Sequence, residues 1–219
     1  MVRFILVVLL TGLSFARTKE DVDKLVEDSA SVINELKNDE EKIPIDLLRR
    51  AKGVIVCPGL IKGAFIVGAG GGSCVVSYRN QKSGSWSAPA FYKIIQASVG
   101  FQLGVEAIDL LLVINTDRGM RSLIKSKVKL GADASVAAGP VGRSASASTD
   151  VVLKADIYSY SKAKGIFAGV SLQGAILVPD GESIRIYYGK DLNPSEILFG
   201  NLHAPASALK FLDALRGLR

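Results

Sequence analysis

Histidine is almost absent from this chain: His203 is the single example, and only two cysteines, Cys57 and Cys74, accompany it. A hydrolase built on a histidine base would have to use His203, and no G-x-S-x-G turn offers a nucleophile to it. One histidine and two separated cysteines also fall short of the usual His/Cys metal set, and no cofactor is expected, although a carboxylate site for calcium or magnesium stays open. Aromatics make up 7% of the residues, so a core has to be assembled mainly from Val, Ile, Leu and Ala. That scarcity, without a recognition motif, argues against nucleic-acid binding. Long apolar runs are missing too. The run over residues 4–13 is well short of the ~20 needed to cross a bilayer. It follows Arg3 and precedes the small-x-small pattern Ser14-Phe15-Ala16, so residues 1–16 read as a secretory signal peptide. The mature chain is then exported to a periplasm or extracellular space, peripheral to the membrane.

What is present is an ordinary globular composition, 48% hydrophobic and 22% charged, sufficient for one core. A single domain over residues 17–219 is expected, with helices in 17–53, a β-rich core in 54–178 and a helical segment in 179–219. The net charge of +6 is mild and implies only a preference for anionic surfaces. Each cysteine lies in an apolar strand-like run, which suits buried thiols better than a disulfide framework. In an oxidising compartment a Cys57–Cys74 bridge remains the alternative.

Thr18 with Asp21 resembles a capping box, and Val22, Leu25, Val26, Ala30, Ile33 and Leu36 follow helical spacing. A shorter helix is expected from Pro44 or Ile45 to Lys52. Beyond Gly53, short β-rich runs separated by turn residues form a meander. Apolar parity switches at Ala107 and Ile108, the mark of a bulge. Thr116 or Asp117 caps a brief helix reaching Lys125. Gly68 to Ser73 lacks the Lys-Ser/Thr of a phosphate loop and reads as a hairpin turn. Residues 165–178 read as a strand run with bends at Gly169 and Gly174, and residues 194–199 and 205–218 as helices. The class is α+β, mostly β: a closed or nearly closed antiparallel β-barrel, or a sandwich, with about three to five helices on its outside.

The chain is organised around residues 127–161. Val128, Leu130, Ala132, Ala134, Val136 and Ala138 share one parity, and Leu153, Ala155 and Ile157 alternate with polar residues, so two long strands are expected, joined by a loop carrying Arg143. The segment LGADASVAAGPVGRSASASTD, with YSYSKAKGIFAGVSLQGAIL after it and WSAPAF and SVGFQLGVEAIDLLLVIN before it, resembles the SYLF domain family. The resemblance covers about residues 47–199. It implies the barrel, a helix rather than the strand that propensity favours over residues 183–188, and a non-catalytic domain acting at phosphoinositide membranes and with actin. An exported protein would not normally meet actin.

The remaining chemistry is basic. Arg118, Arg121, Lys125, Lys127 and Lys129 lie close in sequence, and Arg143, Lys162 and Lys164 lie on or near the loops of the central pair. Solubility alone explains many such side chains. Gathered at one end of a barrel, these eight would bind anionic lipid headgroups weakly and with salt dependence. The alternative is a structural or lipid-carrier protein of the bacterial cell envelope, with Ala132, Ala134 and Ala138 leaving room inside the barrel. Asp109, Asp133 and Asp156 are expected in strands, with nothing to show that any two meet. Oligomeric state is not legible.

Overall fold

The computed structural model of the protein describes residues 17–38, 43–64, 68–98, 104–141, 154–163 and 166–218. Helix α1, Lys19–Asn38, starts on the expected capping box. The Thr18 backbone N–H and hydroxyl donate to Asp21 Oδ2 at 2.8 Å each, and the Asp21 N–H donates back to Thr18 Oγ1 at 3.2 Å. Val22, Val26, Ile33 and Leu36 are buried along its inner stripe. Helix α2, Ile45–Arg50, leads into four long strands: β1 Gly53–Ala64, β2 Gly68–Tyr78, β3 Ala90–Ser98 and β4 Gly104–Ile114. Helix α3, Asp117–Ser122, is followed by β5 Val128–Lys129, β6 Val136–Ala138, β7 Ile157–Ala163, β8 Ile166–Gly169 and β9 Ile176–Pro179. The chain closes with α4 Gly181–Tyr188, α5 Pro194–Phe199, a 3-10 turn Ala206–Ala208 and α6 Leu209–Arg216.

The strands form one sheet in the order β5-β9-β3-β2-β1-β4-β7-β6, with β8 paired to β7. Every pairing is antiparallel except β6 with β7. Strands β5 and β6 lie at opposite edges of that order, yet a short turn bridged at Leu130–Ala134 joins them. The sheet therefore curls until its edges meet at this turn, giving the nearly closed barrel.

Cross-strand register assigns the faces. Val56, Val75 and Phe91 stand in one cross-strand row, and Phe91 packs edge-to-face on Tyr187 of α4, so this face lies under the helices. Cys57, Cys74, Tyr92 and Leu110 occupy the opposite, enclosed face. Both faces of the central strands are fully buried, which is why 54–57 and 110–114 are continuous apolar runs rather than alternating ones. The register shift lies where parity switched: Cys57 faces Leu110 and Leu60 faces Ile108, so the extra residue sits on β1, and Asp109 Oδ1 accepts from the Gly59 N–H at 2.9 Å.

Several expectations are corrected. Cys57 and Cys74 form a disulfide instead of remaining buried thiols; each adjoins the opposed pair Val56–Val75 of antiparallel strands, which brings their side chains together. The glycine run belongs to β2, not to a turn, and Leu60 beside the bulge packs close over Gly72, where an added Cβ would sit 3.0 Å from Leu60 Cδ1. The first arm of the central pair is not one long strand. Gly131, at φ +89°, turns the chain, leaving short β5 and β6, and β6 runs parallel to β7. Ala132 and Ala138 are consequently exposed, and Asp133 lies in the turn. Residues 183–188 are helical in α4, as the resemblance implied. Asp180 caps this helix through Ser183, and Gly189 ends it at φ +69°. The signal segment lies outside the described residues. Among those described, no helix is long and apolar enough to cross a membrane.

Candidate functional site

Gly53, Tyr78, Ile114, Ile157 and Val136 stand in cross-strand register, so β1, β6 and β7 begin at the end of the barrel where β2 and β4 finish. Helix α3 lies across this end. A side chain at Gly53 would collide with Met120 of α3, and the Tyr92 hydroxyl inside the barrel donates to the Leu123 carbonyl at 2.6 Å.

Asp156, immediately before β7, is the anchor. Its carboxylate is 3% exposed and accepts from Thr116 Oγ1 at 2.5 Å, Arg118 Nε at 3.1 Å, Arg118 Nη2 at 2.5 Å, the Ser135 N–H at 2.8 Å and Ser135 Oγ at 2.7 Å. Burial pushes its pKa up, but the hydrogen bonds from Arg118, Thr116 and Ser135 outweigh burial and hold it well below the ordinary carboxylate range. Thr116 also caps α3 by accepting from the Gly119 N–H at 3.0 Å. A single buried carboxylate thus ties α3, the start of β6 and the start of β7 together.

The basic residues follow from that anchorage. Arg118 is bound to Asp156 yet leaves 71% of its side chain exposed. Lys125 reaches Asp133 at 3.3 Å, and Asp133 also accepts from the Lys129 N–H at 2.7 Å; these bonds, the backbone one first, lower its pKa. Arg121, Lys127 and Lys129 are exposed; no ion pair involves Arg121 or Lys127 among the described residues, whereas the Lys129 charge lies near enough to Asp133 to help lower its pKa. Residues 117–133 hold five cations against Asp117 and Asp133. Arg118, Arg121, Lys125, Lys127 and Lys129 thus lie along one continuous segment, from α3 through the turn after it to β5.

Lys162 lies elsewhere. It is six residues along β7 from Asp156, roughly 20 Å at the rise of a strand, near the other end of the barrel. Its side chain is 12% exposed, paired with Glu35 of α1 and with Asp109 at 3.9 Å, so it clamps α1 to the sheet. Arg143 and Lys164 lie outside the described residues. Sequence reasoning missed the role of Asp156. The available signal was an acid at the head of an apolar strand run, together with the hydroxyl and guanidinium of Thr116 and Arg118 after β4.

A cavity of about 200 Å³ lies between the β2–β3 connection and the end of α5, lined by Tyr78, Asn80, Trp86, Phe199, Asn201 and Leu202 among others. Among the described residues, no group of three or more His, Cys, Asp or Glu side chains is placed to hold a metal.

Comparison with known proteins identifies the fold's kin. Residues 95–218 match the family described as Ysc84, Las17-binding protein actin regulator. The chain belongs to the Ysc84 family. SH3 domain-containing YSC84-like protein 1 of Bos taurus is 36% identical over 181 residues, covering 82% of this chain and 52% of the relative. The Homo sapiens protein of the same name is 37% identical over 181 residues, with 82% and 52% covered. LAS seventeen-binding protein 3 of Saccharomyces cerevisiae (strain ATCC 204508 / S288c) is 34% identical over 192 residues, 85% of this chain and 41% of that protein. The chain spans about half the length of the curated relatives it matches. The SYLF resemblance is therefore sound, and the Asp156-anchored end of the barrel is a surface of a Ysc84-family domain.

Proposed function

We propose that this Ysc84-family domain binds anionic lipid headgroups at a membrane surface, without catalysis, through Arg118, Arg121, Lys125, Lys127 and Lys129. The observation supporting the reading is the α3–β5 segment: five cations close in sequence, two of them, Arg121 and Lys127, without an ion pair among the described residues, on a segment tied down by hydrogen bonds to Asp156 and Asp133. At about 1 kcal/mol per cation near an anionic leaflet, such a cluster binds weakly and loses affinity as salt screens it. Arg143 and Lys164 belong to the proposal on sequence alone, whereas the ion pairs of Lys162 with Glu35 and Asp109 speak for a structural role. Export also belongs to this reading: the Cys57–Cys74 disulfide suits an oxidising compartment. Actin regulation, named in the family description, has no comparable support from these residues.

The lipid-carrier alternative has less support, since of its three alanines Ala132 and Ala138 are exposed and only Ala134 is buried. Liposome flotation tests the proposal. Phosphatidylcholine vesicles should recover little protein, and vesicles also containing phosphatidylglycerol or a phosphoinositide should recover more, decreasingly so as salt rises. Equal recovery on neutral and anionic vesicles would refute it.

A further inference from the structure

We propose that this docking surface is amphipathic: Ile124 and Ile95 enter the acyl boundary of an anionic bilayer while Arg121, Lys127 and Lys129 hold its phosphates. The inference rests on the lipid reading above and adds a second, salt-insensitive component to it.

Ile124 sits on the turn leaving α3, where the Lys125 N–H donates to the Ser122 carbonyl at 3.2 Å. The turn buries Leu123 completely and leaves Ile124 46% exposed between Arg121 and Lys125. Ile95 is 51% exposed, and strand register places it. Lys129 lies opposite Ile176, and Ile176 lies opposite Ile95, so the three side chains share one face across β5, β9 and β3. Two inter-strand steps separate Lys129 from Ile95, about 10 Å. In the next row Val128, Leu177 and Ile94 fill the barrel interior, which fixes Lys129, Ile176 and Ile95 on the outside.

One exposed isoleucine would be unremarkable on any protein. Here two exposed isoleucines adjoin the same cation-rich stretch, one within it and one in cross-strand row with its last lysine. A leaflet offers the complementary arrangement, phosphates above hydrocarbon within a few ångströms, and cationic surfaces with apolar side chains bind it through both. Charge complementarity thus selects an anionic bilayer as the occupant. The interior behind the patch is packed, so the isoleucines can enter lipid without any rearrangement of the barrel.

The test uses the protein with vesicles of phosphatidylcholine alone or mixed with phosphatidylglycerol, over a salt series. Both isoleucines are exposed, so the Ile95→Ser/Ile124→Ser pair should keep the wild-type melting temperature. It should lower partitioning onto anionic vesicles about tenfold and abolish the fraction that survives high salt. The Lys127→Ala/Lys129→Ala pair should lose binding chiefly at low salt. In an Ile124→Trp variant, brominated acyl chains should quench the added fluorescence beyond any quenching of Trp86 in the wild type. Unchanged partitioning of the isoleucine pair at every salt concentration, or no added quenching, would overturn the insertion and leave the electrostatic reading standing. Failure of the wild type to bind anionic vesicles would overturn both.

Discussion

At the residue scale, Asp156 and Gly139 carry the barrel end. Asp156→Asn keeps the volume but replaces an acceptor of five hydrogen bonds with a neutral amide, whose NH2 faces donors on Arg118 and Ser135. A loss of about 2 kcal/mol is expected at neutral pH, read from urea midpoints. The pH profile identifies the cause. Because the folded carboxyl titrates below its unfolded value, its contribution is complete above the ordinary carboxylate range and fades as pH falls through that range and below. The wild type should therefore lose more stability than Asp156→Asn between neutral pH and strong acid. Asp21 and Asp133 are lowered too, but they remain in both proteins and cancel in the comparison. Gly139 is a different case. Its N–H donates to the Ser159 carbonyl at 3.0 Å, its backbone lies against the Tyr160 ring, and any Cβ there would fall inside that ring. Gly139→Ala should cost about 2–3 kcal/mol or unfold the protein, visible as a lowered melting temperature by circular dichroism. The glycine central to the sequence motif is thus a contact surface for an aromatic ring.

At the scale of elements, the disulfide fastens β1 to β2 beside the bulge and closes a 17-residue separation. By loop-closure entropy, a link of that span contributes about 3 kcal/mol. A Cys57→Ser/Cys74→Ser variant should melt well below the oxidised protein, and a reducing agent should move the wild type toward it without moving the variant. The bridge was hard to read in advance because buried thiols and a buried disulfide occupy the same apolar runs; only the register, Val56 opposite Val75, brings the two sulfurs together. The same limit explains which elements were legible. Helices α1 and α3 were readable because their caps, Thr18 with Asp21 and Thr116, are local. Strands β5 and β6 were misjudged as one because alternation continues through Gly131, and what breaks it is the turn that lets the sheet edges meet. Helix α4 contradicts the β propensity of Ile184, Ile186, Tyr187 and Tyr188. Asp180 caps its start and also holds Arg17 at 2.7 Å and Lys93 at 3.3 Å, contacts that no local reading contains.

For the whole molecule, the barrel separates two sets of cations that looked alike in the sequence. One end leaves Arg121, Lys127 and Lys129 in solvent; near the other, Lys162 is largely covered and paired with Glu35 and Asp109, where Asp109 also holds the β1 bulge. Charge count alone predicts equal roles, whereas burial predicts opposite ones. Neutralising Arg121, Lys127 and Lys129 together should lower affinity for anionic vesicles by up to about a hundredfold at low salt, at ~1 kcal/mol per cation, with little change in melting temperature. Lys162→Met should do the reverse. It leaves Asp109 without its cation and releases the clamp on α1, costing about 1–2 kcal/mol because Glu35 is half exposed, while vesicle affinity stays at the wild-type value. Flotation and thermal melts on the same two variants therefore separate a membrane-facing end from a structural one. If Lys162→Met weakened vesicle binding as much as the triple variant while remaining folded, the binding surface would not be confined to the α3 end of the barrel.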